Sequence, residues 1–199
     1  IFLRQQPGLR RGPLVVYAGT LGRINGVEYL PRIAYAAKTR SSPLQFVIAG
    51  HGQKEDEIRD LAKKIGVYGD NLHMFPALPK EEMPHLMKAA DVALSLFVDL
   101  KPMWANSANK FFDALASGTP VAINYRGWQA DVLNETGAGI VLPPSDPEEA
   151  AARLDAFVSD GQVLLDAGRV ARVVAEERYD RNMLANKLEG ILLSVASEI

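Results

Sequence analysis

Cysteine is absent from the 199 residues. That excludes disulfides, thiolate metal sites and a cysteine nucleophile, and it fits a reducing, cytoplasmic setting. No apolar run is long enough to span a bilayer, and no segment joins a basic start to an apolar middle as a signal peptide would. Charge of one sign is not in excess either. A net charge of -2 leaves no basic surplus for nucleic acid or anionic lipid and no solvated like-charge tail. Repeats and low-complexity tracts are missing too. What remains is an ordinary globular composition, 48% hydrophobic, sufficient for one large or two small domains. The chain starts at Ile1 without methionine, and the polar, turn-rich stretch Arg4 to Pro13 reads as a linker or a cut site. Residues 1–12 are therefore expected to be a linker from a missing N-terminal domain, and residues 13–199 a folded domain with helices at its C-terminus.

Four short apolar runs are closed by glycine, proline or polar residues: Pro13 to Gly19, Pro43 to Gly50, Asp91 to Phe97 and Pro120 to Asn124. Their continuous hydrophobicity predicts strands buried on both faces. Weaker strands are expected at Asn71 to Phe75 and Gly139 to Leu142. Between them lie helical periods, with Ile58, Leu61, Ala62 and Ile65 on one stripe and Met83, Leu86, Met87 and Ala90 on another. Pro31 and Pro84 fall within helical patterns, so each must kink its helix or move the start. Asp146-Pro147-Glu148-Glu149 predicts a capped helix start that turns Ala150, Leu154 and Phe157 inward. The βαβα alternation implies an α/β, doubly wound, Rossmann-like parallel sheet, with ligands at the carboxyl ends of its strands.

The most informative stretch is Ala105 to Val121. Ala108, Phe111, Phe112 and Leu115 form an apolar helical stripe, Asn109 and Asp113 share a polar face, and Gly118 with Pro120 ends the helix. Lys110 stands in the first turn, where the helix dipole disfavours a cation by about 0.3–1 kcal/mol unless an anion compensates. A phosphate would compensate. The loop Gly19-Thr-Leu-Gly-Arg-Ile-Asn-Gly26 follows the first strand, and Asn25 with Glu28 has capping-box spacing, which places Arg23 beside a helix N-terminus. Backbone N–H groups of Gly19, Thr20, Leu21 and Gly22, with Arg23, could cradle a diphosphate; a tight turn with a solvated arginine is the structural alternative.

Several rival signatures fail. The glycine spacing is G-x-x-G-x-x-x-G rather than the dinucleotide fingerprint, and the second strand ends in Gly50-His51-Gly52 with no acid for an adenosine ribose. The first strand lacks the acidic cluster of a receiver module, and no Walker A pattern occurs. Asp113 could accept from a ribose diol or pair with Lys110 at i,i+3, and spacing favours the pair. His51 could meet a sugar or phosphate, whereas His73 and His85 read as strand and helix residues without metal-ligand spacing, and no metal is expected. Trp128 could wall a pocket but more simply packs on the core.

Together these segments resemble the C-terminal, donor-binding half of a GT-B glycosyltransferase, in particular glycosyltransferase family 4, the group 1 retaining transferases. The resemblance rests on Val15 to Val27, Val47 to Gly52, Pro76 to Asp91, Asn109 to Val121, Gly127 to Asp131 and Gly137 to Pro147. The form Asn-Lys-Phe-Phe-Asp is similar to the branch that builds bacterial O-antigen, capsule and colanic acid. The resemblance implies that Gly19, Thr20, Leu21, Gly22, Arg23 and Lys110 bind the diphosphate, that Asn109, Asp113 and His51 bind ribose or sugar, and that Phe75, Pro76 and Leu78 face the base. It implies a nucleoside diphosphate sugar as substrate, no cofactor, and a glycan or lipid-linked acceptor bound through the missing N-terminal half. That half would bring any attachment to the inner face of the cell membrane, and the isolated fragment would be inactive. Two departures stand out: of the two glutamates usual in the family, eight positions apart, Ala105 and Asp113 hold the places, and Thr20 and Asn25 replace basic loop residues. A GT-B-like nucleotide-sugar epimerase using His51, Asp99, Asp113 or Asp131, or a non-catalytic nucleotide-sugar-binding module, are the alternatives. No residue presents itself as a nucleophile.

Overall fold

The apolar runs pair side by side because each can be covered on both faces only inside a layered α/β domain. In the computed structural model, which describes residues 8–197, they form β1 (Leu14–Ala18), β2 (Gln45–Ala49), β3 (Leu72–Phe75), β4 (Val92–Ser95), β5 (Val121–Ile123) and β6 (Gly139–Val141). All pair in parallel in the order β3-β2-β1-β4-β5-β6, with Val16 opposite Val47 on one side and Ala93 on the other. The expected doubly wound sheet is therefore present, including both weaker strands.

The crossovers are α1 (Tyr29–Thr39), α2 (Glu55–Lys64), α3 (Met83–Ala89), α4 (Asn109–Ala116) and α5 (Trp128–Thr136), followed by α6 (Pro147–Ser159), α7 (Gly161–Arg178) and α8 (Arg181–Ser197). Side chains alternate along each strand and so feed two cores. Val15, Tyr17, Phe46 and Ile48 pack with Leu30 and Ile33 of α1, Ile58 of α2 and Leu154 of α6. Val16, Ala18, Val47 and Ala49 pack with Met87 of α3, Phe111 and Leu115 of α4 and Val174 of α7.

Helix starts follow local chemistry. Pro31 and Pro84 sit in the first turns of α1 and α3, where a missing N–H costs nothing, so they set the starts rather than kink the helices. Asp146 accepts from the Glu149 N–H at 3.0 Å with Pro147 at the first position of α6, and Ala150, Leu154 and Phe157 are buried. The expected cap at Asn25 is not formed. Residues Arg23–Asn25 make a short 3-10 turn, Asn25 Oδ1 accepts from the Gly22 N–H, and α1 begins only at Tyr29 with no side-chain cap.

Residues 1–7 of the expected linker lie outside the described residues. From the rest of it, Leu9 packs on the second core and Arg10 pairs with Asp70. Leu184, Leu188, Ile191 and Leu192 of α8 are exposed. Among the described residues no helix is long and apolar enough to cross a membrane.

Candidate functional site

From β1 the chain winds out to β2 and β3, then returns to β4 on the opposite side. The carboxyl ends of β1 and β4 thus flank the switch point, where a doubly wound fold opens a crevice. Lys110, the second residue of α4, reaches across it to the turn after β1. A Cβ placed on Gly19 would lie 3.2 Å from Lys110 Cδ and 3.4 Å from Nζ. The ammonium stands 5.4 Å from the Tyr17 ring centre and 5.7 Å from that of Phe97, both at cation–π range. The Tyr17 hydroxyl donates to the Thr20 carbonyl at 2.7 Å and so ties that ring to the turn.

Removal from water holds the Lys110 pKa below its ordinary 10.5, with Asp113 opposing the shift. Lys110 has no carboxylate within 4 Å among the described residues. The i,i+3 salt bridge that spacing favoured is not made. A partly dehydrated cation without a close counter-ion is disposed to take an anionic ligand.

The turn is narrower in its offering than the sequence suggested. The Gly19 N–H donates to Ala49 at 2.9 Å and the Leu21 N–H to His51 at 3.0 Å, while the Gly22 N–H is taken by Asn25. Leu21 is fully buried in the first core and contributes no contact surface. Among residues 19–23 the amides left over are those of Thr20 and Arg23, and the start of α4, at Asn109 and Lys110, has no side-chain cap. Arg23 is exposed, but it heads the 3-10 turn six residues before α1, not a helix N-terminus. Backbone bonds also sew this turn to the next one. Gly52 lies so close that a Cβ would come 2.7 Å from the Leu21 carbonyl oxygen, which a side chain could not do.

Asp113 lies exposed one turn along from Lys110 and lines a cleft of about 590 Å³ with Lys80, Met83, Pro84 and Met87. Partial burial raises its pKa, and Lys80 then Lys110 pull it down. Lys80 was passed over in the sequence; its neighbourhood to Asp113 arises from tertiary packing of α3 against α4, and no local pattern announces it. Phe75 and Leu78 are half-buried against the core face shared with α4, and Pro76 is exposed. Asn109 is exposed at the α4 start, and His51 is exposed at the end of β2 with its carbonyl bound to Leu21.

The other candidates separate from this crevice. Asp99 lines a different cleft with Glu28, Arg32 and Ser145, and Asp131 is exposed in the first turn of α5. Trp128 packs on Phe111, Phe112 and Tyr179 and donates to the Asn106 carbonyl at 2.9 Å, the structural role. Among the described residues no three His, Asp or Glu side chains gather as a metal site would require.

Comparison with known proteins gives these features a context. The chain is 25% identical over 191 residues to the alpha-D-kanosaminyltransferase of Streptomyces kanamyceticus, covering 95% of this chain and 47% of that protein. It thus spans about half the length of the curated relatives it matches. Its fold superposes on Anabaena Alr3699/HepE in complex with UDP with a TM-score of 0.83 at 18% identity, covering 97% of this chain and 52% of that one. It also superposes on the C-terminal domain of a glycosyl transferase group 1 family protein, LpcC of Francisella tularensis, with a TM-score of 0.70 at 15% identity, covering 87% and 89%. The family described as glycosyl transferases group 1 matches residues 2–174, a span that holds the Gly19 turn, residues 75–78 and all of α4, and the chain belongs to that family.

Proposed function

We propose that this chain is the nucleotide-sugar-binding half of a retaining glycosyltransferase. It takes a nucleoside diphosphate sugar whose sugar passes to a glycan or lipid-linked acceptor held by an N-terminal half. The observation that carries the reading is the apposition of Lys110 and Gly19 across the switch point. There the ammonium, the Thr20 and Arg23 amides and the uncapped start of α4 meet a diphosphate, and Asp113 takes the ribose hydroxyls. In the transfer step these groups stabilise the charge that grows on the departing diphosphate, a role that asks for no metal. Phe75, Pro76 and Leu78 face the base. The UDP seen with the Anabaena protein, whose fold this chain shares, supports the ligand class.

The Asn109 to Asp113 form favours surface polysaccharide synthesis in a bacterium, at the cytoplasmic side of the membrane. Ala105, exposed at the end of the 3-10 turn before α4 and at a position where the family commonly carries a glutamate, favours a second reading, a module that binds nucleotide sugar without transferring it.

Titration of this chain with UDP and GDP, read by amide exchange, tests the site. Protection is expected at residues 19–23 and 109–113, with loss of binding in Lys110→Ala. Full-length protein that binds UDP yet transfers sugar from no donor would favour the second reading.

A further inference from the structure

Beneath the loop that leads into α4 lies a polar network that the proposed phosphate contacts do not use. Ser95, the last residue of β4, and Tyr125, just past β5, are buried, with their hydroxyls 2.9 Å apart. Gln129, in the first turn of α5 and equally buried, accepts from the Tyr125 hydroxyl at 2.6 Å. A phenol has one hydrogen to give. With that hydrogen on Gln129, Ser95 must donate to Tyr125, so the three form a directed chain.

Trp128, which precedes Gln129 in α5, connects this chain to the loop at Asn106. The Asn106 Nδ2 donates to the Met103 carbonyl at 2.5 Å, and its own carbonyl accepts from Trp128. Trp128 in turn lies against Phe111 and Phe112, the residues next to Lys110. The network therefore grips the loop at 103–106 and α4 at its first turn, and Lys110 stands on the stretch between them. Gln129 Nε2 and Asn106 Oδ1, a donor and an acceptor, are buried without a partner in the protein. Apolar side chains of this size would fill the space at less cost to stability, so stability alone does not account for amides here.

We propose that Gln129 and Tyr125 are positioning residues for Lys110: by fixing the start of α5, and with it Trp128, they hold the 103–108 loop and the first turn of α4 at one height above the end of β4, which sets where the ammonium stands. The inference rests on reading Lys110 as the diphosphate ligand, and it adds what aims that ligand.

The test compares Gln129→Met and Tyr125→Phe with Thr119→Val, a control that removes a buried hydrogen bond to the Met87 carbonyl outside the network. Each is read by amide exchange over residues 103–110, by the pH titration of the Lys110 Cε resonance, and by titration with UDP and with inorganic pyrophosphate. Both network variants are expected to speed exchange in the loop and return the Lys110 titration toward 10.5. They should also weaken both ligands about tenfold, the equivalent of one buried hydrogen bond. Thr119→Val, at a similar loss of melting temperature, is expected to change none of these. Network variants that melt earlier but keep wild-type loop exchange and Lys110 titration would overturn the proposal. If neither ligand binds the wild-type chain, the functional reading fails by itself, and exchange and titration still decide the positioning role.

Discussion

Lys110 crowds the space that a side chain on Gly19 would need: Cδ stands 3.2 Å from the point where a Cβ would begin, so the lysine must give way by a few tenths of an ångström. Gly19 also holds a φ of +146°, which L side chains rarely adopt. Gly19→Ala is therefore expected to destabilise the chain by about 1–2 kcal/mol. It should also push the lysine off its aromatic seat, so that UDP affinity falls along with the urea midpoint. An alanine variant with wild-type UDP affinity would show that the apposition does not matter for the ligand.

The lowered Lys110 pKa makes two opposite pH trends. Between that value and the unfolded 10.5, the unfolded chain binds more protons than the folded one, so this group makes the apo chain more stable as pH rises through the window. Diphosphate affinity runs the other way, since the anion needs the protonated amine. Calorimetric titration with UDP from about pH 7 to about pH 10 should show affinity falling at lower pH than an ordinary lysine allows. Lys110→Met should remove both trends.

Asp113 separates the parts of the ligand. Asp113→Asn is expected to weaken UDP about tenfold, as loss of a charged hydrogen-bond acceptor does, and to leave inorganic pyrophosphate unchanged or slightly tighter. Equal weakening of both would place Asp113 at the phosphates rather than the ribose.

Asn124 clamps the end of β4 to that of β5, accepting from the Phe97 N–H at 2.9 Å and donating to the Phe97 carbonyl at 3.0 Å, all buried. Asn124→Ala strands both backbone groups and is expected to cost about 2–4 kcal/mol in urea unfolding. Because the Phe97 ring is one side of the Lys110 niche, UDP should bind more weakly to the folded remainder.

The sheet was legible because its signal is strong and local: a strand such as β2, whose Phe46 to Ala49 are apolar toward both faces, has few other places to go. The position of Lys110 in the first turn of α4 was legible for the same reason, as a helix stripe fixes the phase of its neighbours. Asn25 was misread because Asn at that spacing serves equally well in a tight turn, and the Gly22 N–H outcompeted the helix start. The amides of Gly19 and Leu21 were misread because their partners, Ala49 and His51, lie about thirty residues along the chain and meet them only in the folded sheet. Lys80 and the Gln129 network have no local pattern at all; they exist only where α3, α5 and the β4 loop converge on α4.

The bonds that sew the turn at Gly19–Leu21 to Ala49, His51 and Lys54 also bear on kinetics. A turn already fixed by its neighbour has little freedom left to lose when a ligand arrives, so capture is governed by encounter with the cation more than by rearrangement. Rival anions of similar charge would then enter at similar speeds, and the choice between them would be made by how long each one stays.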